Sequence, residues 1–208
     1  MKKSFRKTVK KLIPKFVFSL REKYEYRQWI KNGRPSPPPH IVKQNAIREY
    51  REKYGCNVLV ETGTFLGDMI EAQKRFFKSL HSVELSPELF ELAKKRFLKD
   101  SNVFLWQGDS GEVLRDIVVK LDEPALFWLD GHYSGDFTAL GKKECPVPEE
   151  LEAIFSGRNF DHIILIDDAR LFTGEGDYPK IEELNALVSA KNNRYKLLVK
   201  DDIIRFSF

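Results

Sequence analysis

The sequence predicts an α/β domain built on a doubly wound, mostly parallel sheet, with a helical N-terminal extension. Three observations carry that prediction. From residue 57 onward, short apolar β-rich runs alternate strictly with longer amphipathic runs, the pattern of right-handed βαβ units with helices on both faces. Several of the apolar runs finish in a carboxylate. The last two strand-like runs are joined by a short turn containing Asp201-Asp202, a hairpin that puts one antiparallel strand into the sheet.

Composition sets the limits. The chain has 208 residues, 42% hydrophobic and 32% charged, the size of one domain with an appendage. No apolar run approaches the roughly 20 residues of a membrane-spanning helix, which excludes a transmembrane protein. The two cysteines, Cys56 and Cys145, form no C-x-x-C pair, which excludes a disulfide framework and a thiolate zinc site and points to a reducing cytoplasm. The net charge of +4 is split: residues 1–34 carry twelve Lys/Arg against two Asp/Glu, or +10, leaving 23 basic and 29 acidic groups, or −6, in the rest.

The elements follow in chain order. Residues 1–34 form a basic leader with Phe5, Val9, Leu12, Ile13, Phe16 and Leu20 at helical spacing and a break or kink at Pro14. Lys15 interrupts its apolar segment and no small-residue cleavage site follows, so a signal peptide is not expected. Two readings of the leader stay open. One is docking on an anionic membrane surface or an acidic partner, helped by Tyr24, Tyr26 and Trp29; the other is packing on its own domain or on a second subunit. Residues 35–39, Pro-Ser-Pro-Pro-Pro, read as an extended connector, and the main domain spans 40–208. Its first helix is expected over 40–54, ended by Gly55. Strands are expected over 57–61, 81–85, 103–107, 125–130 and 162–167, helices over 68–77, 87–97, 111–121, 147–155 and 180–190, and the terminal hairpin over 194–199 and 203–208.

In such sheets ligands bind beyond the carboxyl ends of the strands, where strand order reverses. The first strand runs into Glu61-Thr62-Gly63-Thr64-Phe65-Leu66-Gly67, an E-x-G-x-x-x-G turn. Gly63 permits a backbone conformation closed to other residues, and Gly67 lets the helix start close to a ligand. The acid at the strand end and the bulky Phe65 and Leu66 suit a cationic ligand better than a pyrophosphate. Glu84, 23 residues on, is placed to accept from ribose hydroxyls, and Asp109 in Gly108-Asp109-Ser110 from an exocyclic amine, with Ser110 capping the next helix.

Together these residues resemble class I S-adenosylmethionine (SAM)-dependent methyltransferases. Glu61-x-Gly63-x-x-x-Gly67 looks like their first motif, Glu84 like the ribose-binding acid, and Gly108-Asp109-Ser110 like the adenine-binding loop. The resemblance covers roughly 57–208 and implies a Rossmann-like, seven-stranded sheet whose last strand is antiparallel. It also implies a cofactor site around Glu61, Gly63, Thr64, Phe65, Gly67, Glu84, Asp109, Ser110 and Asp130. Phe65 departs from it, since many members have a third glycine there.

The fourth strand closes in Leu129-Asp130-Gly131-His132-Tyr133-Ser134-Gly135 and the fifth in Ile166-Asp167-Asp168-Ala169-Arg170. Three carboxylates on one rim, Asp130, Asp167 and Asp168, repel unless a cation lies between them, and oxygen-only ligands suit Mg²⁺ or Ca²⁺. This pattern is similar to the metal-dependent O-methyltransferases of the catechol type and of the macrocin and novobiocin sugar type. That likeness implies Mg²⁺ held by Asp130, Asp167 and Asp168. Tyr133 stands where the catechol type has its lysine; His132 stands where the sugar type has its base, and an imidazole suits that role. The long segment 134–161 and the loop 171–178, with Gly174 and Gly176, are expected to cover the acceptor, and Lys142 or Lys143 to meet an anionic one.

The expected function is therefore SAM-dependent, magnesium-assisted O-methylation of a sugar, glycan or related small-molecule hydroxyl. The expected setting is the cytoplasm, membrane-peripheral under the docking reading of the leader, with a homo-oligomer under the packing one. A nucleic-acid methyltransferase and a non-catalytic cofactor-binding module are the alternatives. The −6 of the main domain has the wrong sign for nucleic acid, and Leu-Asp-Gly-His is not the Asn/Asp-Pro-Pro-aromatic signature of adenine N-methyltransferases.

Overall fold

The computed structural model describes residues 15–131, 144–158 and 160–208. Its sheet has seven strands: β1 (Val58–Thr62), β2 (Ser79–Glu84), β3 (Val103–Gln107), β4 (Ala125–Leu129), β5 (Ile163–Ile166), β6 (Lys196–Lys200) and β7 (Ile203–Ser207). They lie in the order β3-β2-β1-β4-β5-β7-β6. The first five are parallel, and β7 enters antiparallel to both β5 and β6. Strand order reverses between β1 and β4, which pair from Val58↔Ala125 to Thr62↔Leu129.

Seven α-helices accompany the sheet in the described residues: α1 (Lys15–Lys31), α2 (His40–Tyr54), α3 (Asp68–Gln73), α4 (Pro87–Phe97), α5 (Ser110–Val118), α6 (Val147–Ser156) and α7 (Ile181–Lys191). The pleat of β4 divides the core into two layers. Phe127 and Leu129 join Leu114 and Ile117 of α5, Leu151 and Ile154 of α6, and Leu184 and Val188 of α7. Leu126 and Trp128 face the other way, onto Ala46, Ile47 and Tyr50 of α2, Ile70 of α3, and Ala93 and Phe97 of α4. Alternate side chains of one strand thus feed opposite layers, which is why β4 and β5 read as continuous apolar runs with every residue buried.

Most boundaries fall where the pattern puts them, and α2, β3 and α4 match to the residue. Helix α3 stops at Gln73 and not at Phe77, because the chain must turn there to deliver Phe77 into the core and Ser79 into register with Val58. The Phe76 carbonyl released by that turn accepts from Arg51 Nε at 2.6 Å. A short 3₁₀ turn over Ala169–Leu171 has no counterpart in the periodicity. In the leader, α1 begins directly after Pro14; residues 1–14 lie outside the described residues. Trp29, expected among the membrane-facing aromatics, is buried at 6% exposure and donates its Nε1–H to the Pro35 carbonyl at 2.8 Å, while Leu20, Tyr24 and Ile30 are exposed. No helix of the described residues is long and apolar enough to cross a membrane.

Candidate active site

The parallel register lines up the carboxyl ends of β1, β4 and β5, since Thr62 pairs with Leu129 and Leu129 with Ile166. The loops that follow begin with Gly63, Asp130 and Asp167 side by side. Gly63 has φ +81, and a Cβ there would meet the Asp130 carbonyl oxygen at 2.2 Å. A glycine is therefore demanded twice over, by conformation and by the approach of the β4 loop. Gly67 also has φ +75, but what a Cβ would strike is the Phe97 ring at 2.5 Å. It seats the start of α3 on α4.

Glu61 is fully buried beneath the loop. Ser82 Oγ lies 2.6 Å from its Oε2 and 2.6 Å from Thr64 Oγ1, a chain that ties β1, β2 and the turn together. Burial pushes the Glu61 carboxyl up to about 8, the Ser82 hydrogen bond opposing and the Glu84 charge adding to the rise. Glu84 holds the turn from the next strand: its Oε2 accepts the Phe65 N–H at 2.7 Å and its Oε1 the Ser86 N–H at 2.9 Å. Burial raises its pKa against those backbone donors. Phe65 adopts φ +48, a left-handed conformation that favours glycine, and leaves its ring 43% exposed.

Asp109 follows β3 and caps α5 by accepting the Gly111 N–H at 3.0 Å. Ser110, expected as the cap, is instead the first residue of that helix; the aspartate before it has the extended backbone a capping residue needs. Asp130 follows β4, and its N–H donates to Thr62 Oγ1 at 3.2 Å. Its carboxyl is held well above the ordinary carboxylate range by burial and by Asp167, with Lys43 opposing. Among the described residues, β1, β2, β3 and β4, four neighbours in the sheet, thus each finish in or beside a carboxylate: Glu61, Glu84, Asp109 and Asp130.

The structure also brings Asp167 and Asp168 to the rim beside Asp130, and it adds a residue the sequence reading missed. Lys43, on α2, contacts Asp167 Oδ2 through Nζ, which also lies 3.4 Å from Asp168 Oδ1. Burial alone pulls an ammonium pKa down, but Asp167, Asp130 and Asp168 outweigh it and raise that of Lys43. Arg170 closes the cluster from the other side, 2.8 Å from Asp168 Oδ1 and paired with Asp202. The magnesium expected at Asp130, Asp167 and Asp168 does not fit this arrangement: the ammonium takes the Asp167 oxygen that a metal would need. No group of three or more His, Cys, Asp or Glu among the described residues is arranged to hold a metal. Lys43 lies on the helix face of Ala46 and Ile47, where a lysine interrupting an apolar stripe was the one signal that could have revealed it.

Helix α6 contributes Glu150, fully buried and also missed; a side chain at Gly131 would come 3.1 Å from its Oε1. His132, Tyr133, Gly135, Lys142 and Lys143 lie outside the described residues. In the 171–178 loop Phe172 is buried, and Asp177 accepts the Glu144 N–H at 2.9 Å, which joins that loop to the middle of the 134–161 segment.

No family model matches the sequence, and no curated protein does. Solved structures match the fold. An O-methyltransferase of Bacillus cereus in complex with SAH superposes with TM-score 0.59 at 12% identity, over 90% of this chain and 90% of that one. The O-methyltransferase TomG of Streptomyces achromogenes, involved in tomaymycin synthesis and in complex with SAM, gives 0.57 at 13% over 89% and 87%. The SAH-bound methyltransferase PaMTH1 of Podospora anserina gives 0.56 at 16% over 94% and 88%. At these identities the likeness establishes the fold alone, a Rossmann-like, mostly parallel sheet with an antiparallel C-terminal strand.

Proposed function

We propose that the protein is a SAM-dependent O-methyltransferase acting on a hydroxyl of a sugar, glycan or related small molecule. The observation that carries the reading is the run of carboxylates at the ends of four adjacent strands, set around the β1–α3 turn at the point where strand order reverses. That donor set suits a ligand with a ribose, an exocyclic amine and a positive charge. SAM supplies a methyl group activated by its sulfonium. Glu84 would accept from the ribose hydroxyls, Asp109 from the adenine amine, and the Gly63–Gly67 turn would close over the remainder. His132, next in sequence to Gly131, would take the acceptor proton as the new carbon–oxygen bond forms and the carbon–sulfur bond breaks.

Fold alone does not choose the acceptor. The sugar reading is supported by Asp130-Gly131-His132 following β4, and the membrane-peripheral reading by the basic leader with Leu20 and Tyr24 exposed on α1. Cytoplasmic residence is supported by two buried free thiols that burial pushes up to about 11 at Cys56 and about 12 at Cys145.

Isothermal titration of SAM into the full chain, in EDTA, tests the reading. Saturable binding lost in Glu84→Ala is expected, followed by one added methyl on a hydroxylated acceptor in a sugar screen. Absence of binding, or binding indifferent to Glu84→Ala, would overturn it.

A further inference from the structure

The rim formed by β4 and β5 carries three carboxylates within two strand ends, and two basic side chains, Lys43 and Arg170, face them. Asp167 is fully buried and Asp168 is 13% exposed at its side chain. Each meets the same ammonium, that of Lys43, and Asp168 also meets the Arg170 guanidinium. Arg170 is shared with Asp202, so two cations face four acids, a formal charge of −2.

Lys43 is not a mobile surface lysine. Its side chain is 16% exposed, and the helix that carries it is pinned to the sheet by Val42, Ala46, Ile47 and Tyr50. The Pro-rich connector ends at Pro39, which fixes where that helix begins. The ammonium is thus delivered to one place by a rigid element. A divalent ion at that place would need the same Asp167 oxygen at about 2.1 Å and would be repelled by the fixed positive charge beside it.

We propose that Lys43 is a tethered cation standing in place of a divalent metal, a positioning residue that holds Asp167 and Asp168 in orientation so that the site works without bound Mg²⁺. Its role in turnover rests on the methyl-transfer reading; the exclusion of metal rests on the ion pairs alone. Three donors and no acceptor let one ammonium bridge both aspartates, as a metal would, while contributing one positive charge in place of two.

Mn²⁺ titrated into the full chain, with free ion read by its electron paramagnetic resonance signal, tests this directly. The native chain is expected to leave millimolar Mn²⁺ free. Lys43→Met should bind one equivalent, Lys43→Met with Asp167→Asn should bind none, and Lys43→Arg should exclude the ion as the native residue does. Stoichiometric Mn²⁺ binding by the native chain, or none by folded Lys43→Met, overturns the proposal. Where Lys43→Met folds poorly, Mn²⁺ should raise its Tm and leave the native Tm unchanged; a melt indifferent to Mn²⁺ overturns it as well. Native turnover should survive EDTA, and Lys43→Met should lose tenfold or more with part restored by Mg²⁺. SAM titration of both chains in EDTA separates the two readings: Mn²⁺ behaviour as expected with no SAM binding would remove the methyltransferase assignment and leave that of Lys43 standing.

Discussion

Glu61 is a carboxyl that the fold keeps protonated near neutrality, and its position beneath the turn makes it a reporter of what the turn binds. Its pKa of about 8 against an ordinary 4.5 means that the folded state favours the neutral form. That contribution to stability is complete below pH 4.5 and is lost as the pH rises through 8. Glu61→Gln, which cannot ionise, should therefore match the native Tm near the acid end of this window and exceed it by several degrees near pH 9. A difference in Tm that stays constant from the acid end to pH 9 would show that ionising Glu61 costs the fold nothing. A cationic ligand over the turn would favour the carboxylate, so SAM affinity should rise with pH toward 8 and the dependence should flatten in Glu61→Gln. Residues of this kind are legible in a sequence because each stands out at the end of an apolar run, as Glu61, Glu84 and Asp130 do. Lys43 was not legible, because its partner Asp167 is 124 positions away and only the packing of α2 across the sheet joins them.

At the scale of elements, the strands were legible from apolar pattern and the helices from amphipathic runs such as that of α4, which Ser86 caps by accepting the Leu89 N–H at 3.3 Å ahead of Pro87. The early end of α3 was not, because it is dictated by the register of β2 against β1 and not by any breaker residue. A comparable hidden tie secures the entry to β4 and β5. His162 Nδ1 accepts the Ala125 N–H at 3.1 Å, its carbonyl accepts the Tyr195 hydroxyl at 2.8 Å, and its ring meets Phe127 and Phe160 edge-on. Burial pulls this imidazole down to about 4, so the folded state holds it neutral. An unfolded chain binds a proton below about 6.5, hence stability attributable to His162 is present above that pH and declines as the pH falls toward 4. His162→Phe keeps the ring packing but strands the Ala125 N–H, at a cost of about 1–3 kcal/mol. Melts over this acid range should show a lower plateau and a shallower acid limb for the variant; an unchanged limb would assign the acid sensitivity to other groups.

For the whole molecule, the mostly parallel sheet with an antiparallel strand was legible from the alternation and the terminal hairpin, whereas the disposition of the leader was not, because one charge pattern serves both packing and docking. The structure ties down one end of α1. Its C-terminal end is tied down through buried Trp29 and the Pro35 carbonyl, with Arg34 placed 3.5 Å from Asp201. Its other end presents exposed Leu20 and Tyr24, preceded in sequence by residues 1–14 with six Lys/Arg and no acid. A net-negative body after residue 34 is complementary to that charge and favours packing, whereas an anionic lipid surface would compete for the same side chains. Each basic side chain near an anionic surface contributes about 1 kcal/mol, screened by salt. The full chain should therefore sediment with phosphatidylserine-containing vesicles at low ionic strength, release at high salt, and ignore phosphatidylcholine vesicles. A chain of residues 15–208 retains the Trp29 tie but lacks the charge, and it should stay in the supernatant with an unchanged Tm. Equal sedimentation of the two chains would place the contact on the exposed face of α1 or elsewhere on the body. A fall in Tm on deletion would mean that the first fourteen residues pack on the domain after all.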